Sequence, residues 1–234
     1  VTDQSMLTGG AVGPAVWFEA PVGFTELPLD IDPGNRTTLI LEGLDALYPQ
    51  VPVEQKLSAT LSAEAGLRAQ LAQGLRYAAS CLYRASDGRV IHGLFQLSVR
   101  ATATGEPLTF AQRGAPRLAA ARPHAEVGVL GLPCGRVLVA TEDHMVRVPG
   151  TTFGVAEDSV VTLRQLEALL AHPDGRHLVA VVFSTGDLDY WEEWLPVLAN
   201  ALSGLSFYPP QADGPPPPGT TGDMGIDRIR QAFG

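Results

Sequence analysis

Residues 176–207, RHLVAVVFSTGDLDYWEEWLPVLANALSGLSF, constrain the fold more than any other stretch of the chain. His177 to Thr185 is a short apolar, β-branched run bounded by turn residues, the pattern of a buried strand. Asp187, Asp189, Glu192 and Glu193 then crowd the start of a helix whose apolar stripe is Trp191, Trp194, Leu195, Leu198, Leu202 and Leu205. Carboxylates at a helix start complement its dipole by about 0.3–1 kcal/mol each, and the stripe is expected to pack on the sheet rather than to hold a cofactor. Pro196 removes one backbone donor and is expected to bend the helix.

A strand that enters such a helix needs partners, and two Asp-Gly turns supply them. Residues 76–85 and 89–102 flank Ser86-Asp87-Gly88, and residues 159–170 and 177–185 flank Pro173-Asp174-Gly175. Asp-Gly between alternating runs is a strong hairpin signal. In the run after Gly88, Ile91, Gly93, Phe95, Leu97 and Val99 share the face expected to meet the core. Leu163, Leu166, Glu167 and Leu170 also fit a helical period, but β-branched Val160, Val161 and Thr162 favour a strand for 159–170. Two further strands, 126–132 and 136–147, are expected across Pro133-Cys134-Gly135.

Helical spacing appears earlier in the chain. Leu39, Leu41, Leu44 and Leu47 form a stripe in residues 35–48, and Leu57, Leu61, Ala65, Leu67, Leu71 and Leu75 form another across 54–74, with Gly66 a weak point worth about 1 kcal/mol. A short helix is expected over 116–122, since proline suits a first turn. Residues 15–29 read as a first hairpin or bent strand around Pro21 and Gly23. The expected class is α+β, an α/β/α sandwich with a mostly antiparallel twisted sheet flanked by helices. Residues 15–208 would form its single domain, with a mobile lead-in over 1–14. The proline-rich stretch after Phe207 favours polyproline II, so 209–234 reads as a disordered tail in which residues 226–233 could form a transient helix.

Hydrophobic residues make up 45% of the 234 and charged residues 18%, enough apolar material for one sizeable core. A net charge of −9, with Lys56 the only lysine, argues against binding nucleic acid through its phosphates. No run approaches the roughly twenty apolar residues of a spanning helix. The opening residues carry no basic start, apolar core or lipobox-like cysteine, so a cytoplasmic location is expected. Cys81 and Cys134 lie far apart and are expected to be unpaired thiols.

Catalytic signatures are missing: there is no GxxxxGK[ST], HExxH, GxSxG or strand-helix GxGxxG. Glu142-Asp143-His144 could bind a cation or relay protons, but neighbours on a strand point to opposite faces. Cys134 would be a nucleophile only if His144 or His124 approached it; a turn residue is the simpler account. Ser184, at a strand end, is a similar case. His172 and His177 bracket the second Asp-Gly turn, where two imidazoles could hold metal. Four ligands are usual for structural zinc, and no others are apparent nearby, so solvated turn histidines are expected. No catalytic residue, metal or cofactor is assigned.

The Phe-Ser-Thr strand end at Phe183 to Thr185, the acidic Trp-containing helix closing on Ser206-Phe207, and the Pro-x-Gly-Phe turn between Phe18 and Leu29 resemble the Mog1/PsbP-like proteins, including the LpqN-type actinobacterial group. That resemblance covers about a third of the chain. It implies an α/β/α sandwich that binds other proteins without enzymatic activity, and it carries over no site residue. The missing lipobox and the length of the two-helix segment before Cys81 depart from its lipoprotein members. The expected function is a non-enzymatic, cytoplasmic protein-binding accessory factor linked to a bacterial secretion or envelope system, its partner unidentified. The alternatives are an enzyme using Cys134, His144 and Asp143, and a self-assembling structural subunit.

Overall fold

Both Asp-Gly turns form hairpins. In the computed structural model, which describes residues 6–7, 14–150 and 157–209, β4 (Leu75–Arg84) pairs with β5 (Val90–Ala101) and β8 (Ser159–Ala171) pairs with β9 (His177–Thr185), both antiparallel. Gly88 and Gly175 take positive φ, at 87° and 67°, which a residue without Cβ adopts at little cost. The remaining strands are β1 (Met6–Leu7), β2 (Val16–Trp17), β3 (Phe24–Glu26), β6 (Glu126–Leu132) and β7 (Gly135–Val148).

The main sheet has seven strands in the order β3-β4-β5-β9-β8-β7-β6, antiparallel throughout. The two hairpins meet at β5 and β9, where Phe95 lies opposite Phe183 and Leu97 opposite Val181. Residues 159–171 are a strand, as their β-branched residues favoured.

Four α-helices form among the described residues: α1 (Pro33–Leu47), which packs on α2 (Val53–Ala72), and α3 (Pro107–Ala121) and α4 (Trp191–Ser203). Helix α4 lies on the face carrying Ile91, Phe95, Leu97, Val179, Val181 and Phe183, and builds the main apolar core with it. Trp194 is the largest fully buried side chain, its ring 5.0 Å from that of Phe183 and 6.2 Å from that of Phe24. Gly93 is required there, because a Cβ would lie 2.6 Å from the Phe183 ring and 3.0 Å from Trp194. On the opposite face α3 crosses β6, β7 and β8, with Gly114 seated over Leu138, and α2 reaches β4. The architecture is therefore an α+β sandwich, as its sequence implies.

Several expectations need correction. Residues 15–29 form no hairpin of their own; the other reading, a chain that bends at Pro21 and Gly23 and enters the sheet, holds for β3, which joins beside β4, while β2 pairs with β1 inside the expected lead-in. The driving contact is the core itself, since Val16 and Phe18 are buried in it. Helix α3 starts at Pro107 rather than Pro116; Pro107 occupies the helix start, and Pro116 sits within the helix. Helix α2 runs unbroken through Gly66, whose cost is one of helix propensity and not of geometry. Of the expected tail, only Pro209 is described; residues 210–234, including 226–233, lie outside the described residues.

The largest departure concerns the first two helices. The buried residues of α2 are Lys56, Thr60 and Glu64, one row at i, i+4 spacing, whereas Val53, Leu57 and Leu61 of the adjacent row are exposed. Glu64 lies against Arg36 of α1, with both side chains about 95% buried and Nε–Oε2 and Nη2–Oε1 distances of 2.8 and 2.9 Å. Arg36 also donates to the carbonyls of Leu29 and Ile31, and Lys56 pairs with Asp45. A buried carboxylate and guanidinium require each other, and with this pair inside, Leu57 and Leu61 are left facing water while Leu67 and Leu71 are half-buried.

Candidate functional site

The Glu142-Asp143-His144 run lies on β7, and strand alternation splits it. Asp143 pairs with Arg164 at 2.7 and 2.9 Å, and the Arg164 guanidinium lies 5.7 Å from the centre of the Trp191 ring. This ion pair, opposed by burial, holds the Asp143 carboxyl below its ordinary range. Glu142 points to the other face, where Arg122 at the end of α3 donates to Glu142 and Glu167 at 3.1 and 2.8 Å. His144 Nε2 is 3.3 Å from the same Glu142 oxygen. Asp143 and His144 therefore do not converge.

Cys134 sits at the opposite end of β7. Ten residues of strand separate it from His144, roughly 30 Å. Burial pushes its thiol up to about 11, so the thiolate that nucleophilic attack requires is scarce. Burial also raises the Cys81 thiol, and neither cysteine is in a disulfide. Ser184 lies opposite Leu94 and Gln165 within the sheet.

The acidic turn before α4 does more than complement a dipole. Asp187 accepts from the His92 backbone N–H at 2.8 Å, while Glu193 accepts from the N–H and hydroxyl of Ser86, the latter at 2.7 Å. Tyr190 donates its hydroxyl proton to Asp87 at 2.6 Å, and Arg89 stacks over the Tyr190 ring. These contacts clamp the first Asp-Gly turn to the start of the core helix. They join elements of the fold to one another.

The second Asp-Gly turn gathers His172, Asp174 and His177, whose ligand-type atoms all lie within 4.8 Å of one another. His177 Nδ1 is 2.6 Å from Asp174 Oδ2 and His172 Nδ1 is 3.1 Å from Oδ1. The Arg176 and His177 N–H groups donate to Oδ1 at 2.8 and 3.1 Å, and the Asp174 N–H donates to His172 Nδ1 at 3.2 Å. Burial opposes ionisation of Asp174, but the Arg176 N–H and the His177 imidazole outweigh it and hold the carboxyl well below the usual carboxylate range. Sequence reading found both histidines and missed the third member, because aspartate before glycine already has a sufficient explanation as a turn residue.

Two surfaces stand out. Val53, Leu57 and Leu61 form an outward apolar row along α2, with Leu39 of α1 exposed as well. Beyond Arg164, β8 has left β9, and β7 and β8 continue as a two-stranded arm carrying exposed Met145, Val146, Val160 and Val161. The sheet also ends differently at its two edges. Strand β3 is three residues long, whereas β6 presents seven residues in regular register, with neither lysine nor proline to guard its outer side.

No helix among the described residues is long and apolar enough to cross a membrane. Comparison with family models, curated proteins and solved structures finds no match for this chain.

Proposed function

We propose that this chain is a non-enzymatic, cytoplasmic accessory factor that binds another protein through the outward face of α2. The observation carrying the proposal is the inversion of that helix: it buries Lys56, Thr60 and Glu64 while presenting Val53, Leu57 and Leu61 to water. A globular surface helix normally turns its apolar row to the core, and an outward row of large aliphatic residues marks a surface awaiting a partner. Separation of Cys134, Asp143 and His144 argues in the same direction, since an acid, a base and a nucleophile must meet to act together. The α+β fold is of the class that the Mog1/PsbP-like resemblance implies, and the proposed role beside a bacterial secretion or envelope system rests on that sequence resemblance, because fold by itself does not carry function. The test is a pull-down from native lysate with the full chain and with a form lacking residues 209–234. A single stoichiometric partner retained by both forms is expected, and recovery of none contradicts the proposal.

One observation favours a second reading, a self-assembling subunit. The unguarded β6 edge offers backbone donors and acceptors to another strand, and two copies could pair there. Light scattering at micromolar concentration decides it: a large species supports assembly and a monomer removes it.

A further inference from the structure

We propose that the β8–β9 turn is a binding site for a divalent transition metal, zinc foremost, held by His172, Asp174 and His177 with the fourth position open to water or an external ligand. Two imidazoles and one carboxylate suit zinc, nickel or copper, whereas calcium and magnesium take sets of oxygen donors. Metal–ligand bonds of 2.0–2.1 Å in a tetrahedron place neighbouring donors about 3.3 Å apart. The 3.1 Å between His172 Nδ1 and Asp174 Oδ1 is already close to that spacing. The 2.6 Å between His177 Nδ1 and the other carboxylate oxygen, Oδ2, spans a hydrogen-bonding proton; an ion held by Oδ1 requires His177 to turn from Oδ2 towards it, within the 4.8 Å that encloses the three ligand atoms.

The proton need not leave the protein. A neutral imidazole can carry it on Nε2 and offer the Nδ1 lone pair to the metal. His172 Nδ1 already accepts a hydrogen bond, the long 3.2 Å contact from the Asp174 N–H, so its lone pair points into the turn, and binding a metal requires the imidazole to give up that contact. The frame around the three ligands is fixed. The His172 N–H donates to the His177 carbonyl at 2.9 Å, Thr104 donates to the Gly175 carbonyl at 3.1 Å, and the His172 ring meets Phe207 edge-on at 5.0 Å. Both imidazoles are mostly covered yet reachable, with side-chain exposures of 13% and 23%.

Calorimetric titration of the metal-free full chain with zinc chloride, paralleled by visible absorption with cobalt chloride, tests the site. One equivalent should bind. His177→Ala and Asp174→Asn should each weaken binding at least tenfold, by analogy with the about 10–100-fold cost of losing even an outer-shell partner, while His144→Ala leaves it unchanged. No saturable binding, or binding that survives both turn substitutions, overturns the proposal. Imidazole 1H–15N spectra of the unmodified chain keep the test sound if a turn variant fails to fold. Zinc should shift the signals of His172 and His177, and shifts confined to His92, His124 or His144 also overturn it.

Discussion

Replacing Glu64 with glutamine should unsettle the first two helices more than any surface substitution, and by an amount the structure allows one to gauge. Hydrogen bonds from Arg36 outweigh the cost of burial and, with those from Arg68, hold the Glu64 carboxyl at about 2 rather than its ordinary 4.5. A displacement of that size corresponds to about 3 kcal/mol of differential interaction between the two protonation states. Removing the charge leaves the Arg36 guanidinium buried without its counter-ion, for which about 3–5 kcal/mol is typical. Glu64→Gln should therefore cost about 3–5 kcal/mol in the helical unit, read by urea unfolding followed through far-ultraviolet circular dichroism. Arg36→Met with Glu64→Leu should cost less than either single change, because no uncompensated charge remains. Because the folded carboxyl lies below its unfolded value, this stability is complete above about pH 4.5 and is lost as pH falls through about 2. A Glu64→Gln protein within 1 kcal/mol of the parent, or one with an unaltered acid limb, refutes the reasoning.

Other consequences follow from the core and the thiols. Trp194→Ala, which empties the largest fully buried site, should cost about 3–5 kcal/mol in chemical denaturation. Gly93→Ala forces a methyl group against Phe183 and Trp194 and should cost about 1–3 kcal/mol by the same assay. With its thiol raised to about 11, Cys134 should react with iodoacetamide at pH 8 far more slowly than a free cysteine, and mass spectrometry of a timed reaction measures this.

What the sequence disclosed, and what it withheld, divides along physical lines. Asp87-Gly88 and Asp174-Gly175 announced their hairpins because positive φ at glycine is a local requirement. The alternation from Ile91 to Val99 and the stripe from Trp191 to Leu205 identified the core faces because both patterns meet one continuous apolar surface. Periodicity failed at α2, where it marks a row of leucines but not the direction the row faces. Direction was set by Arg36 and Glu64, 28 residues apart, whose pairing no local pattern reveals. At α3, Pro107 was the stronger start signal, and the reading passed over it for Pro116. In the metal-type cluster both histidines were legible; Asp174 was visible only as half of a turn.

If the outward row of α2 meets a partner, a matched pair of charge substitutions will show it. Leu57→Glu with Leu61→Glu alters two exposed positions, so folding should be little changed, while a glutamate at exposed Leu82 provides the control. Quantitative recovery of the stoichiometric partner from native lysate is the measurement. The parent and the Leu82→Glu protein should retain the partner and the Leu57→Glu/Leu61→Glu protein should lose it. Equal recovery by all three would show that the outward row of α2 is not the partner surface.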